Sequence, residues 1–207
     1  MPESLVDDAI EPTVIVSERV YEGKVWDIRS ERFEYNGAEL TREFVDHTGA
    51  VAIMAMDDEG RVLLIKQYRH PIRHREWELP AGLLDIAGED PLIGAQRELA
   101  EEADLAASEW HVLTDFMTSP GGSNEALRVY LARGVTTVAP FDRHDEEVDI
   151  ETRWVALDDV VSAVLARDIQ NSILAIAALA AAAARDRGWV TLSDANAPWT
   201  RHPSYRD

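Results

Sequence analysis

The residues able to do chemistry are concentrated between Gly82 and Leu105, in the run GLLDIAGEDPLIGAQRELAEEADL, which holds Glu89, Arg97, Glu98, Glu101 and Glu102. A helix through this run places Glu98, Glu101 and Glu102 within about 100° of arc. Leu92, Ala95, Leu99 and Ala103 point mainly the other way and can face a core. Three carboxylates on one face repel one another unless something cationic sits among them. Oxygen donors without His or Cys suit hard ions, Mg²⁺ or Mn²⁺. Arg97 can pair with Glu101 one turn further on. A solvated acidic face would carry the same charges. What favours a site is the stretch Trp77-Glu78-Leu79-Pro80-Ala81-Gly82, which feeds into the helix segment and can offer backbone oxygens to the same ion.

The surrounding pattern supplies elements to hold this helix. Val51–Met56 and Arg61–Tyr68 read as apolar strands joined by an acidic turn, and Trp77–Leu79 as a short strand. The helix is predicted to start at Asp90-Pro91, an N-cap followed by a proline that forfeits no needed hydrogen bond, and to run to about Ala103. Trp110–Met117, Ala126–Arg133 and Thr152–Ala156 are further strands, and Leu157–Ala166 and Ile169 to about Arg187 are closing helices, the last ended by Gly188. Helices lying between and after strands imply an α/β fold, a mixed sheet covered on both faces. Ahead of this lie three β-rich stretches, Thr13–Val20, Lys24–Phe33 and Glu39–His47, with an Asn36-Gly37 hairpin turn between the last two. They hold too few apolar residues for a core of their own, so residues 1–47 are expected to pack on the main domain, 48–207, or on a second subunit. The tail after Gly188, with Pro198 and Pro203, yields no predicted element.

Composition narrows the function classes. Thirty-nine Asp and Glu against 20 Lys and Arg give a net charge of −19, which disfavours nucleic acid and anionic membranes as partners. Small anionic substrates remain open, because divalent cations can bridge carboxylates to phosphates. The absence of cysteine excludes disulfides, zinc–thiolate sites and thiol nucleophiles. The acidic N-terminus lacks a basic start and an apolar signal core, and the apolar run Ser172–Ala184 is shorter than the about 20 residues a membrane span needs. A cytoplasmic protein is expected.

The carboxylate segment resembles the Nudix box, the signature of the Nudix hydrolase superfamily, with Gly82, Glu89, Arg97, Glu98, Leu99, Glu101, Glu102 and Leu105 at matching positions. It departs from that pattern twice: six residues rather than five separate Gly82 from Glu89, and Asp104 stands where the last glycine is usual. Gln67-Tyr68-Arg69-His70, the stretch from Trp77 to Gly82, and Ser119-Pro120-Gly121-Gly122-Ser123-Asn124-Glu125 resemble the ADP-ribose pyrophosphatase branch, as does the placement of Pro120 16 residues beyond Asp104. The likeness covers roughly residues 13–187 and is greatest to actinobacterial members, which share the extra loop residue.

The resemblance implies a Nudix-type α/β/α sandwich with a mixed sheet, plus a small N-terminal antiparallel β block that dimerises and is exchanged between subunits. It implies metal-dependent hydrolysis of the pyrophosphate of ADP-ribose to AMP and ribose 5-phosphate by water attack on phosphorus. GDP-mannose or another nucleoside diphosphate sugar is the alternative substrate, and a non-catalytic nucleotide-sensing module is a more distant one. Glu98, Glu102 and the backbone oxygen of Ala81 would hold Mg²⁺ or Mn²⁺, with Glu101 and Glu89 close by. Arg42, Arg69, Glu78, Gly121 and Ser123 would meet the substrate. The general base would come from His144-Asp145-Glu146-Glu147, with Glu147 preferred and Glu146 next. His144 can titrate near neutral pH but also reads as an ordinary loop residue.

Overall fold

A computed structural model describes residues 5–141, 149–202 and 205 of the chain. It divides into two compact units, one of Met1–His47 with Ser119–Asn124 and one of Thr48–Thr118 with Glu125–Asp207.

In the first unit β1 (Thr13–Tyr21), β2 (Asp27–Tyr35) and β3 (Ala38–Asp46) form an antiparallel sheet in the order β1-β2-β3. Asn36 and Gly37 join β2 to β3 with φ of 52° and 78°. Positive φ at both central residues is the hairpin geometry that Asn-Gly favours. β2 starts at Asp27, later than the Lys24 expected from the sequence, because a turn intervenes: the Gly23 N–H donates to Asp27 Oδ1 at 3.2 Å. A Cβ on Gly23 would lie 2.0 Å from the Trp26 carbonyl oxygen, so only glycine makes that turn. Every residue of β1 is exposed, Val14, Val16 and Val20 included. The Ser119–Asn124 segment is fastened to β3: the Val45 N–H donates to the Gly122 carbonyl at 2.9 Å, and Asn124 Nδ2 donates to Asp46 Oδ1 at 2.8 Å.

The second unit contains β4 (Ala50–Ala55), β5 (Arg61–Arg69), β6 (His74–Glu78), β7 (Ala81–Leu83), α1 (Pro91–Ala103), β8 (Leu105–Met117), β9 (Ala126–Thr137), β10 (Glu151–Ala156), α2 (Leu157–Ala166), α3 (Ser172–Asp186) and β11 (Ser193–Asp194). A five-stranded sheet runs β11-β8-β9-β4-β7, and a three-stranded sheet runs β10-β5-β6. The larger sheet is mixed, since β4 pairs parallel with β9 while its other pairs are antiparallel.

β4 shows how the layers form. All its residues are buried, and its side chains alternate between two cores, as the two-residue strand period requires. Val51, Ile53 and Ala55 enter a cluster with Ala95 and Leu99 of α1. Ala50, Ala52 and Met54 enter a second cluster with Leu157 and Val160 of α2 and the buried alanines of α3. β4 is thus covered by a helix layer on each face, the expected α/β/α sandwich. The alanine run of α3 is accounted for by this packing, because Ala177, Ala178 and Ala181 are fully buried against the sheet.

Several boundaries differ from the sequence reading. α3 begins at Ser172 rather than Ile169, because Asn171 caps it by accepting from the Leu174 N–H at 3.0 Å. β8 and β9 reach past their predicted ends and pair from Leu105 with Thr137 to Met117 with Ala126. The tail without a predicted element adds β11 to the larger sheet and buries Trp199. No helix of the described residues is long and apolar enough to cross a membrane.

Candidate active site

α1 has the limits its sequence signals demand. Asp90 Oδ1 accepts from the Leu92 N–H at 2.8 Å and Pro91 opens the first turn. Leu99 and Ala95 anchor the inner face in the core. The opposite face carries Glu98, Glu101 and Glu102, and a guanidinium sits among the acidic groups. Arg97 donates to both oxygens of Glu89 at 3.1 and 3.0 Å, to Glu98 at 2.6 Å and to Glu101 at 3.0 Å. The pairing with Glu101 is the one the helical spacing predicts; those with Glu89 and Glu98 are additional. Hydrogen bonding to Glu89 first, then the charge and hydrogen bond of Glu98 and the hydrogen bond of Glu101, hold the guanidinium proton more tightly than usual against the opposing cost of burial. The repulsion inherent in the carboxylate face is therefore offset within the chain by Arg97.

Glu102 is only 5% exposed, an unusual position for a carboxylate. Its Oε2 accepts from the Ala81 N–H at 2.8 Å, which ties the helix to the start of β7. Gly82 is the closest approach of that strand to the helix: a Cβ there would lie 2.0 Å from Glu98 Cδ and 2.0 Å from its Oε1. Gly94 serves Glu89 in a similar way, since a Cβ on it would stand 3.0 Å from Glu89 Oε2. Two glycines thus open the space in which two carboxylates lie.

Asp104 resolves one departure from the Nudix pattern. It takes φ 55° as the C-cap of α1, the left-handed conformation usually left to glycine. The aspartate compensates with a bond glycine cannot make: its Oδ1 accepts from the Phe141 N–H at 2.9 Å.

From β5, Arg69 reaches diagonally along the ladder to Glu78 of β6, which is paired with Ile65. Arg69 Nε and Nη2 donate to the two Glu78 oxygens at 2.9 and 2.7 Å, and Gln67 Nε2 approaches Glu78 Oε2 at 3.4 Å. Glu78 is 3% exposed, so its charge is met by a bidentate partner, the strong form of such a pair. Arg42 lies on β3 of the first unit and donates to the Thr41 carbonyl at 2.7 Å. Gly121 and Ser123 belong to the same unit, and a Cβ added to Gly121 or Gly122 would meet no atom of the described residues within 4 Å. Glu146, Glu147 and His144 lie outside the described residues.

A NUDIX domain model matches residues 46–176, which include α1 and the whole carboxylate set on it. The chain belongs to the Nudix family. It is 44% identical over 191 residues to the ADP-ribose pyrophosphatase of Mycobacterium tuberculosis, covering 92% of each chain. It is 36% identical over 170 residues to the ADP-ribose pyrophosphatase of Bacillus subtilis, covering 82% of this chain and 91% of that one. A crystal structure of an ADP compounds hydrolase has the same fold, with a TM-score of 0.72 at 20% identity over 89% of this chain and all of the other.

The protein is therefore a Nudix hydrolase, and Nudix hydrolases generally need divalent metal ions. Among the described residues no three His, Cys, Asp or Glu side chains converge as a ready-made cage, since Arg97 occupies the middle of the acidic cluster. The donor set nevertheless suits a hard cation: carboxylates on one helix face, a neighbouring backbone segment, and a glycine cradle filled by Glu98.

Gly82→Ala tests that cradle. The atoms a methyl would strike are the far end of Glu98, so the chain can fold by turning that carboxylate away. The variant is expected to keep its circular-dichroism spectrum while losing about 10²-fold in kcat, the scale of a misplaced reacting group. Turnover at the wild-type rate would show that the position of Glu98 is immaterial.

Sequence reasoning missed Gln67 beneath Glu78, the threefold grip of Arg97, and the tail residues Trp199, His202 and Tyr205. Arg97 left a signal, since it is the one cation in an acidic run; the tail left only a concentration of aromatic residues.

Proposed function

We propose that this Nudix hydrolase cleaves the pyrophosphate of ADP-ribose to AMP and ribose 5-phosphate, using Mg²⁺ or Mn²⁺. The observation that carries the reading is the buried Glu102, tied to the Ala81 N–H and beside a Glu98 that only Gly82 leaves room for, in a chain with near full-length relatives named ADP-ribose pyrophosphatase.

In this reading Glu98, Glu102 and the Ala81 carbonyl hold the metal, with Glu89 and Glu101 at its side. When bound, the metal neutralises pyrophosphate charge and acidifies a water. The chain's residues do the rest. Arg97 sets Glu89, Glu98 and Glu101 in place. Glu78 holds the planar guanidinium of Arg69 ready for substrate oxygens. Arg42, Gly121 and Ser123 supply further substrate contacts. Glu147, or failing it Glu146, takes a proton from the attacking water. A P–O bond to that water forms as the bridging P–O bond breaks, and the two phosphate monoesters leave.

The test is chromatography of products from a substrate panel. AMP and ribose 5-phosphate from ADP-ribose, at a higher kcat/KM than GDP-mannose shows, would support the reading. A preference for GDP-mannose would keep the metal site and replace the substrate.

We also propose a homodimer built through residues 1–47. Support comes from β1, whose nine residues are all exposed and include Val14, Ile15, Val16 and Val20. A strand with no covered face gains little by folding alone. Light scattering is expected to give twice the mass of one chain, and a variant lacking residues 1–47 to run as a monomer with weakened substrate binding. A full-length monomer at working concentration would remove the proposal.

A further inference from the structure

The tail beyond α3 reaches the loop that ends at Glu89. The Tyr205 hydroxyl donates to the Glu89 backbone carbonyl at 2.9 Å. That loop is the irregular part of the Nudix segment. It carries the extra residue between Gly82 and Glu89, and residues 85–88 are exposed. Its far end is held twice: Arg97 grips the Glu89 carboxylate through both oxygens, and Tyr205 grips the main chain of the same residue.

The hydroxyl is delivered from a firm base. Trp199 is 2% exposed and lies under the Arg128 guanidinium, 4.8 Å from its centroid. Arg128 is itself locked on Asp115 by two bonds of 2.8 Å and donates to the Ala197 carbonyl at 2.8 Å. The His202 Nε2–H donates to the Thr48 carbonyl at 3.0 Å, and its ring lies 4.6 Å from that of Tyr205. A Cβ on Gly49 would stand 2.2 Å from His202 Nε2, so the main chain leaves room for this imidazole at that point.

We infer that Tyr205 is a positioning residue of the metal site, a strap by which the C-terminal tail fixes the lengthened loop and aims Glu89. The inference rests on reading Glu89 as one of the carboxylates beside the metal. A longer loop has more conformations to lose on ordering, and a tether at its end removes part of that cost in advance. The hydroxyl contributes one hydrogen bond, so its loss corresponds to about 3–10-fold in metal affinity.

The test is Mn²⁺ titration of the full-length protein, with free ion followed by electron paramagnetic resonance. Tyr205→Phe removes the hydroxyl and keeps the ring beside Trp199 and His202. It is expected to bind Mn²⁺ about 3–10-fold more weakly, to unfold in EDTA at the wild-type temperature, and to recover wild-type kcat at saturating Mn²⁺. In a Glu89→Gln background the same substitution is expected to change Mn²⁺ affinity little, because the strap acts through Glu89. Equal affinity of Tyr205→Phe and wild type, or an undiminished effect in the Glu89→Gln background, would overturn the inference. Wild-type protein that binds no Mn²⁺ would instead overturn the metal reading beneath it.

Discussion

Glu102→Gln is expected to leave a folded protein with about 10³-fold lower kcat, the loss of roughly 4 kcal/mol of charge stabilisation at the transition state. The shapes match, and the glutamine carbonyl can still accept from the Ala81 N–H that Glu102 now receives at 2.8 Å. Only the charge is lost. In the apo protein that loss removes a buried anion from a crowded acidic face, so thermal stability is expected to hold or rise. In the metal-loaded protein it removes an anionic ligand from a hard ion. The two readouts should therefore move in opposite directions, which separates a ligand from a structural carboxylate. Wild-type turnover at saturating Mg²⁺ would sink the assignment of Glu102, whatever the melting curve does.

The parts of the site that were legible in the sequence are those governed by local rules. Asp90, Pro91 and the helical period placed α1, and the same period put three carboxylates on one face and Arg97 within reach of Glu101. The apolar run Val51–Met56 marked β4 as a strand, and helices between and after the strands implied a sheet covered on both faces. What stayed hidden depends on contacts distant in sequence. That Asp104 tolerates φ 55° could not be read locally, because its compensating partner is the Phe141 N–H, far along the chain. The pairing of Arg69 with Glu78 needs the register of β5 on β6, which sets Gln67 opposite Glu76 and Arg69 opposite His74. Taken singly, each residue looked like a direct substrate contact; together, Glu78 accepts two bonds from the Arg69 guanidinium. The tail was unreadable for the same reason. Pro198 and Pro203 forbid a long helix or strand, and the burial of Trp199 comes from Arg128 and from the side of the sheet it covers.

Glu147→Gln is expected to lower kcat about 10²–10⁴-fold with little change in KM, the signature of a lost general base. The competing carboxylate is Glu101. It accepts from Arg97 at 3.0 Å, and to take a proton from water it would have to give up that charge-assisted bond. That engagement makes Glu101 a better brace than base. Glu147 comes from a charge-rich stretch of the sequence, and loop-borne groups are commonly catalytic. Glu146→Gln is expected to matter much less than Glu147→Gln. If Glu146→Gln is the more damaging, the base is Glu146. If both variants retain near-normal kcat, Glu101 becomes the leading candidate despite its bond to Arg97.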